Sequence, residues 1–289
     1  MTPASIFSDE ISPDFAEAVA TAADCGLQYI DLRNAWGKQW RQFERQDWQR
    51  MRQSLQERDM RLGCIQSQFG KCDIGDEYET QHFPKVDYLI EEAQFFGVDV
   101  IRMFPFWNAD HSHMEVRPNL KCMLPQIAEK LGRALRKVEA AGLTFAIEPE
   151  HSTYSGSLTE VRMVIDAVGS PALKVAWDVA NDMGAEPLFP NRYALIRGLV
   201  ANVHVKERAY PTTGAPGVHM RVLLGTGAVP WPEVIAALQA DGYAGVYSIE
   251  THFGSRGAYG RPKLKAASTW YMYALRELLE DANVTSGVG

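Results

Sequence analysis

Short apolar runs of five to seven residues alternate along the chain with longer segments that are apolar on one face only. The runs are Ala4–Ser8, Gln28–Arg33, Arg61–Gln66, Val98–Phe104, Leu143–Ile147, Leu173–Asp178, Ala201–Lys206 and Gly245–Glu250. Their length and flanking glycines predict buried strands. The segments between them predict helices. Val86, Leu89, Ile90, Ala93 and Phe96 recur at helical spacing, as do Leu124, Ile127, Leu131, Leu135 and Val138. Gly26, Gly97, Gly142, Gly169 and Gly242 follow helical stretches as stop signals. Ser12-Pro13 predicts an N-cap and first turn for a helix over Asp14–Cys25, and further helices fall at about Asp47–Arg58, Leu158–Val168, Arg192–Gly198 and Pro232–Ala240. A last helix, Lys263–Asp281, carries Leu264, Ala267, Tyr271, Ala274 and Leu278 on one face, with a frayed tail after it.

Eight strand–helix units in strict alternation predict an α/β fold: a single-domain (β/α)8 TIM barrel over 1–289, with its active site at the C-terminal ends of the strands. An open doubly wound sheet would carry a glycine fingerprint after its first strand, and Ile11-Ser12-Pro13-Asp14-Phe15 supplies none. The long segments Asn34–Gln46, Gly70–Gln81, Pro105–Leu120 and Glu207–Val229 all follow strands, where a barrel builds its site.

Four of the runs end on a group that packing alone does not explain. Leu143–Ile147 stops at Glu148, the sixth run ends at Asp178, the seventh contains His204 and the eighth ends at Glu250. An unpaired buried carboxylate is costly. Strands five to eight of a closed barrel are neighbours, so the four residues converge on one mouth. Three carboxylates there repel one another, and a divalent cation removes the conflict. Mixed oxygen and nitrogen ligation suits one divalent ion, Mn2+, Mg2+, Co2+ or Zn2+, without choosing among them, and Mn2+ is the ion expected here.

With these residues in place, the chain resembles the xylose isomerase-like barrels, the sugar phosphate isomerase/epimerase group. The likeness is carried by AIEPEH, WDVAND, HVKE, LLGTGAVPWPEVIAAL and GYAGVYSIETH in the second half, and by SDEIS, YIDLR and VIRMF in the first. Gly225-Thr226-Gly227-Ala228-Val229-Pro230-Trp231 stands where the family carries a similar glycine run. The resemblance implies metal ligation by Glu148, Asp178, His204 and Glu250, with Glu148 and Glu250 as catalytic acid/base groups. A metal holding two oxygens of a hydroxyketone acidifies the adjacent C–H, and two glutamates can move the proton. The expected activity is a metal-dependent carbohydrate isomerase or epimerase working through an enediolate. A lyase, either a dehydratase or a β-eliminating deglycosidase, shares its first half-reaction and is the alternative. A non-catalytic sugar-binding barrel is a third reading. The family's apurinic endonucleases need further histidines, and Asn181, Gln66-Ser67, Phe104-Pro105 and His219-Met220-Arg221 stand at the matching places.

Five residues are candidates for substrate contact. Arg221 precedes the glycine run, and Lys206 shares a strand face with His204. Asn181 stands where epimerases often have a substrate-contacting His. His151 follows Glu148 by three residues, as a further base or as a loop His bonded to backbone. Trp107 could stack on a sugar, as could Phe106, Trp36 and Phe69, with core or lid packing the competing role. Glu150 reads as structural, Arg256 as a possible anion contact, and His111 and His113 as solvated.

The net charge of −7 disfavours nucleic acid as a partner. The four Cys show no CxxC spacing, and no apolar run approaches a membrane span of roughly 20 residues. The opening residues lack a signal-peptide pattern. The expectation is a cytoplasmic protein with a small-molecule carbohydrate substrate, assembled as a homodimer or tetramer.

Overall fold

A computed structural model describes residues 2–112, 114–181, 189–209, 220–252 and 261–286, with the side chains left out at 261–263 and 283–286. Eight strands form one sheet: β1 (Ala4–Ile6), β2 (Tyr29–Leu32), β3 (Arg61–Phe69), β4 (Val100–Met103), β5 (Thr144–Ile147), β6 (Leu173–Asp178), β7 (Val200–Val205) and β8 (Val246–Ile249). Hydrogen-bonded neighbours run β1-β8-β7-β6-β5-β4-β3-β2. A parallel bridge between Phe7 and Asp31 joins the two ends, giving the nearly closed parallel barrel that strict alternation predicts. The chain packs as two compact parts, 1–63 with 203–289 and 64–202.

In the first part, α1 (Phe15–Asp24) buries Phe15, Ala18, Val19 and Ala22, an i, i+3, i+4, i+7 face. Complete burial of Phe15 alone contributes about 1.5–3 kcal/mol. The helix starts later than Ser12-Pro13 predicts. Asp14 is the cap and accepts the Glu17 amide, while Ser12 Oγ accepts the Asp14 amide and donates to Glu17 Oε2. Helix α2 (Arg45–Gln56) begins with a reciprocal capping box between Glu44 and Asp47. The loop before it holds a small hairpin, Asn34–Ala35 against Lys38–Gln39, with Trp36 and Gly37 at positive φ.

This part also contains α7 (Trp231–Ala240) and α8 (Arg261–Ser286). Helix α8 runs on to Ser286, beyond the predicted end at Asp281. Its buried stripe is Ala267, Tyr271, Met272, Leu275 and Leu279. The predicted face shares Ala267 and Tyr271 but places Ala274 and Leu278 inward, and both are half-buried. Two apolar stripes overlap on this helix, and periodicity alone does not choose between them.

In the second part, α3 (Val86–Phe96) buries Val86, Leu89 and Ala93, and α4 (Pro118–Ala140) buries Ile127, Leu131, Leu135 and Val138. Helices α5 (Leu158–Val168) and α6 (Tyr193–Ile196) follow. Strand β5 pairs in parallel with β4 and β6, and Phe145, Ala146 and Ile147 are buried on both faces. Strand β3 continues three residues past the predicted end because its polar residues are satisfied inside. Gln66 donates to Asn202, and Ser67 donates to the Arg102 carbonyl. Among the described residues, no helix is long and apolar enough to cross a membrane.

Candidate metal centre

Strand ends position the charged groups in each part. In 64–202, Glu148 follows β5 and Asp178 closes β6, and both are buried. Arg102, buried within β4, donates from Nη1 to Glu148 Oε2 at 2.8 Å. Its Nε and Nη2 reach the carbonyls of Ser67 and Gln66, both at 3.0 Å, so the guanidinium is fixed in the plane that suits Glu148. Asn181 donates to Glu148 Oε1 at 3.1 Å and to the Pro149 carbonyl at 3.0 Å, while its amide meets Asp178 Oδ1 at 2.9 Å. The structure therefore engages Asn181 with two of the predicted ligands.

In the other part, His204 lies in β7 and Glu250 follows β8; both are buried. The Phe7 ring meets the His204 imidazole edge-on. Arg33 donates to Glu250 Oε1 at 2.6 Å, and His252 Nε2 lies 3.0 Å from the same oxygen. Lys206 Nζ lies 3.1 Å from Oε2. Burial pushes the Glu250 carboxyl up, but the charges of His252, Lys206 and Arg33 outweigh it and hold the group well below the ordinary glutamate range.

One side-chain ligand atom from each of Glu148, Asp178, His204 and Glu250 lies within 4.8 Å of all the others, and the four residues are buried. Three carboxylates and one imidazole form a donor set for a hard or borderline divalent ion. Oε2 of Glu250 is buried and makes no directed hydrogen bond, and its charged neighbour is Lys206 Nζ at 3.1 Å. The residues fit a divalent cation.

A profile of the xylose isomerase-like TIM barrel family matches residues 19–273. The chain belongs to that family. Solved structures share the fold over nearly all of both chains. An L-ribulose 3-epimerase is 17% identical, with a TM-score of 0.75 and 100% of this chain and 98% of that one covered. A xylose isomerase-like barrel protein from Mycobacterium smegmatis in complex with magnesium is 16% identical, with a TM-score of 0.74 and 97% of each chain covered. The probable 3-DHS dehydratase AsbF from Bacillus anthracis is 18% identical, with a TM-score of 0.71 and coverage of 95% and 98%.

The other predicted residues divide. Lys206 reaches Glu250, as above. Arg221 is exposed on a short strand, Met220–Arg221, paired with Arg208–Ala209, and its Nη1 donates to the His252 carbonyl at 2.9 Å. His151 places Nε2 3.2 Å from the His111 carbonyl, the backbone-bonded alternative. Trp107 is 42% exposed and pairs with Thr153, with Lys71 Nζ 5.5 Å from its ring centre. Glu150 forms an ion pair with Lys71 at 2.9 Å. Phe69 and Phe106 are buried core. Trp36 lies under the Arg50 guanidinium. His113, His219 and Arg256 lie outside the described residues.

Arg33, Arg102 and His252 were not among the predicted residues. The signal for both arginines was present: each sits at or near the C-terminal end of an apolar strand, the rule that singled out Glu148. Glu207 was also missed. Its buried carboxylate accepts the amides of Arg208 and Val229 on Oε1 and of Gly225 on Oε2. Burial raises its pKa against the lowering effect of these amides. Gly227 must be glycine here, because a Cβ would lie 2.3 Å from Glu207 Oε1. The glycine run is thus a backbone cradle for one carboxylate, anchored at the end of β7. Glu207→Ala is expected to leave these amides unsatisfied and cost about 1–3 kcal/mol, read from urea unfolding against the wild type.

Proposed function

We propose that this protein is a divalent-metal-dependent carbohydrate isomerase or epimerase, acting on a ketose or keto-sugar through an enediolate. The observation that carries the reading is the convergence of Glu148, Asp178, His204 and Glu250 in one buried cluster. The epimerase among the structures of the same fold supports it. When bound, the ion would polarise the substrate carbonyl and balance charge on the enediolate oxygens. The protein's own share is proton movement. His252, Lys206 and Arg33 hold the Glu250 carboxyl well below the ordinary glutamate range, so it is ionised, the form that accepts a proton. Glu148 is held by Arg102 and Asn181, in one orientation. One glutamate takes the proton from carbon and the other returns it. Lys206 and Arg221 are assigned to substrate oxygens, and Trp107 to an outer sugar face.

A lyase is the second reading. Lys206 Nζ, 3.1 Å from Glu250, is a proton donor that could serve a departing oxygen in place of carbon. The dehydratase of the same fold supports it. One experiment separates the two. Purified protein is analysed for metal and incubated in D2O with a panel of ketoses and 3-keto-glycosides, with products read by mass. About one divalent ion per chain is expected, together with deuterium entering a carbon-bound position. Otherwise unchanged product mass indicates isomerisation, whereas loss of water or an aglycone indicates elimination. Full activity in persistently metal-free protein, or no exchange with any keto-sugar, would remove the enediolate reading.

A further inference from the structure

Arg33 lies in the part containing Glu250, and its guanidinium is shared among three carboxylates. Nε bonds to Asp9 Oδ1 and Oδ2 at 3.2 and 3.0 Å, Nη2 to Glu10 Oε1 at 3.0 Å, and Nη1 to Glu250 Oε1 at 2.6 Å. The anchors are themselves held. Asn34 donates to Asp9 at 2.8 Å, Thr251 to the other oxygen of Glu10 at 2.6 Å, and Ser268 to the Glu10 carbonyl at 2.7 Å. The guanidinium also sits 4.8 Å from the centre of the Phe7 ring.

Three acids around one cation is a poor arrangement for stability alone, because the second and third carboxylates repel the first. It is a good arrangement for fixing direction. A planar fork tied down through Nε at Asp9 and Nη2 at Glu10 leaves Nη1 fixed in direction, and Nη1 takes Oε1 of Glu250. With His252 Nε2 3.0 Å from the same oxygen and Lys206 Nζ 3.1 Å from Oε2, each carboxylate oxygen has its own neighbours and the orientation is held. Oε2 is then the atom turned toward His204, 3.9 Å from its Nδ1.

We propose that Arg33 is a positioning residue for the metal centre. It occupies Oε1 of Glu250 so that Oε2, the oxygen that also meets Lys206, is the one presented beside His204 as the ligand atom, with Asp9 and Glu10 serving to hold Arg33. The inference rests on the metal reading above. It also carries a sign opposite to that of simple electrostatics. Removing a cation near a cation site should tighten metal binding, whereas removing the group that aims a ligand should weaken it.

Mn2+ titrated calorimetrically into metal-stripped protein tests this, with thermal unfolding as a check of folding. Arg33→Met is expected to weaken Mn2+ binding roughly 10–100-fold, the range seen when outer-shell partners of a metal site are lost. Arg33→Lys keeps the charge but cannot bridge three carboxylates, so it too should bind more weakly and should change the visible spectrum of the Co2+-loaded protein. It is the deciding variant where Arg33→Met does not fold. Arg33→Met binding Mn2+ as tightly as the wild type or more tightly, or Arg33→Lys matching the wild type in affinity and Co2+ spectrum, would overturn the role of Arg33. Wild-type protein that binds no Mn2+ would overturn the metal reading itself, and this inference with it.

Discussion

Replacing Arg117 with Met is expected to destabilise the protein by roughly 3–5 kcal/mol, the cost of leaving one member of a buried ion pair without its partner. Arg117 and Glu160 are almost wholly inaccessible, at 1% and 0% exposure. The guanidinium uses Nε and Nη2 on Glu160, Nη1 on the carbonyls of Asp110 and His151, and Nη2 on the carbonyl of Thr153. Glu160 in turn accepts the amides of Arg117 and Gly156. One arginine therefore ties the start of α4 to the segment after β5 and to the loop after β4. Met fills similar volume but supplies no donor, so three carbonyls and a carboxylate lose their partner together. For a chain of this length the loss corresponds to a Tm lower by roughly 10 °C. Arg117→Met/Glu160→Met should recover part of it, since the stranded charge is gone while the carbonyls remain unsatisfied. Urea unfolding of the two variants provides the check. An Arg117→Met variant within 1 kcal/mol of wild type would show that the pair contributes little.

Arg117 also shows where reading from sequence stopped. An arginine before a proline at a helix start looks like a solvated charge, and nothing local marks a partner 43 residues away. By contrast, the eight strands were legible because a strand buried on both faces leaves a continuous apolar run. The candidate cluster of Glu148, Asp178, His204 and Glu250 was legible for a related reason. A carboxylate at the end of such a run has no packing explanation, and corresponding ends of neighbouring strands meet. Arg33 and Arg102 satisfy the same positional rule, yet a cation at a strand end suggests snorkelling to solvent more readily than a buried fork. The end of β3 was misjudged because Gln66 and Ser67 look like loop residues until Asn202 and the Arg102 carbonyl are seen beside them. The stripe on α8 was half right because helical period constrains spacing but not phase when apolar residues are plentiful. In each case the missing term is a long-range partner, which periodicity does not encode.

Glu148→Gln and Glu250→Gln are each expected to lower kcat by at least about 100-fold, the lower end of what a positioned acid/base group contributes. Loss of an anionic ligand adds to this by weakening the ion. The two variants should differ in the folded protein. Both oxygens of Glu148 accept N–H donors, Arg102 Nη1 on one and Asn181 Nδ2 on the other. A glutamine amide must turn its NH2 toward one of those donors, so Glu148→Gln carries a mismatch at either orientation. Glu250 gives up a charge that Arg33, Lys206 and His252 surround. Its folded pKa is depressed, so its contribution to stability is present above the ordinary glutamate range. That contribution is lost as pH falls through the depressed value. Glu250→Gln should therefore destabilise the metal-free protein at neutral pH and flatten its acid limb, bringing the two proteins closer together as pH falls. Circular dichroism and thermal unfolding from neutral to acid pH measure this, with turnover read on whichever keto-sugar exchanges deuterium. Near-normal kcat in either variant, with metal bound, would remove that glutamate from the proton transfer. A wild-type acid limb reproduced in Glu250→Gln would show that the cations around Glu250 do not stabilise its charge.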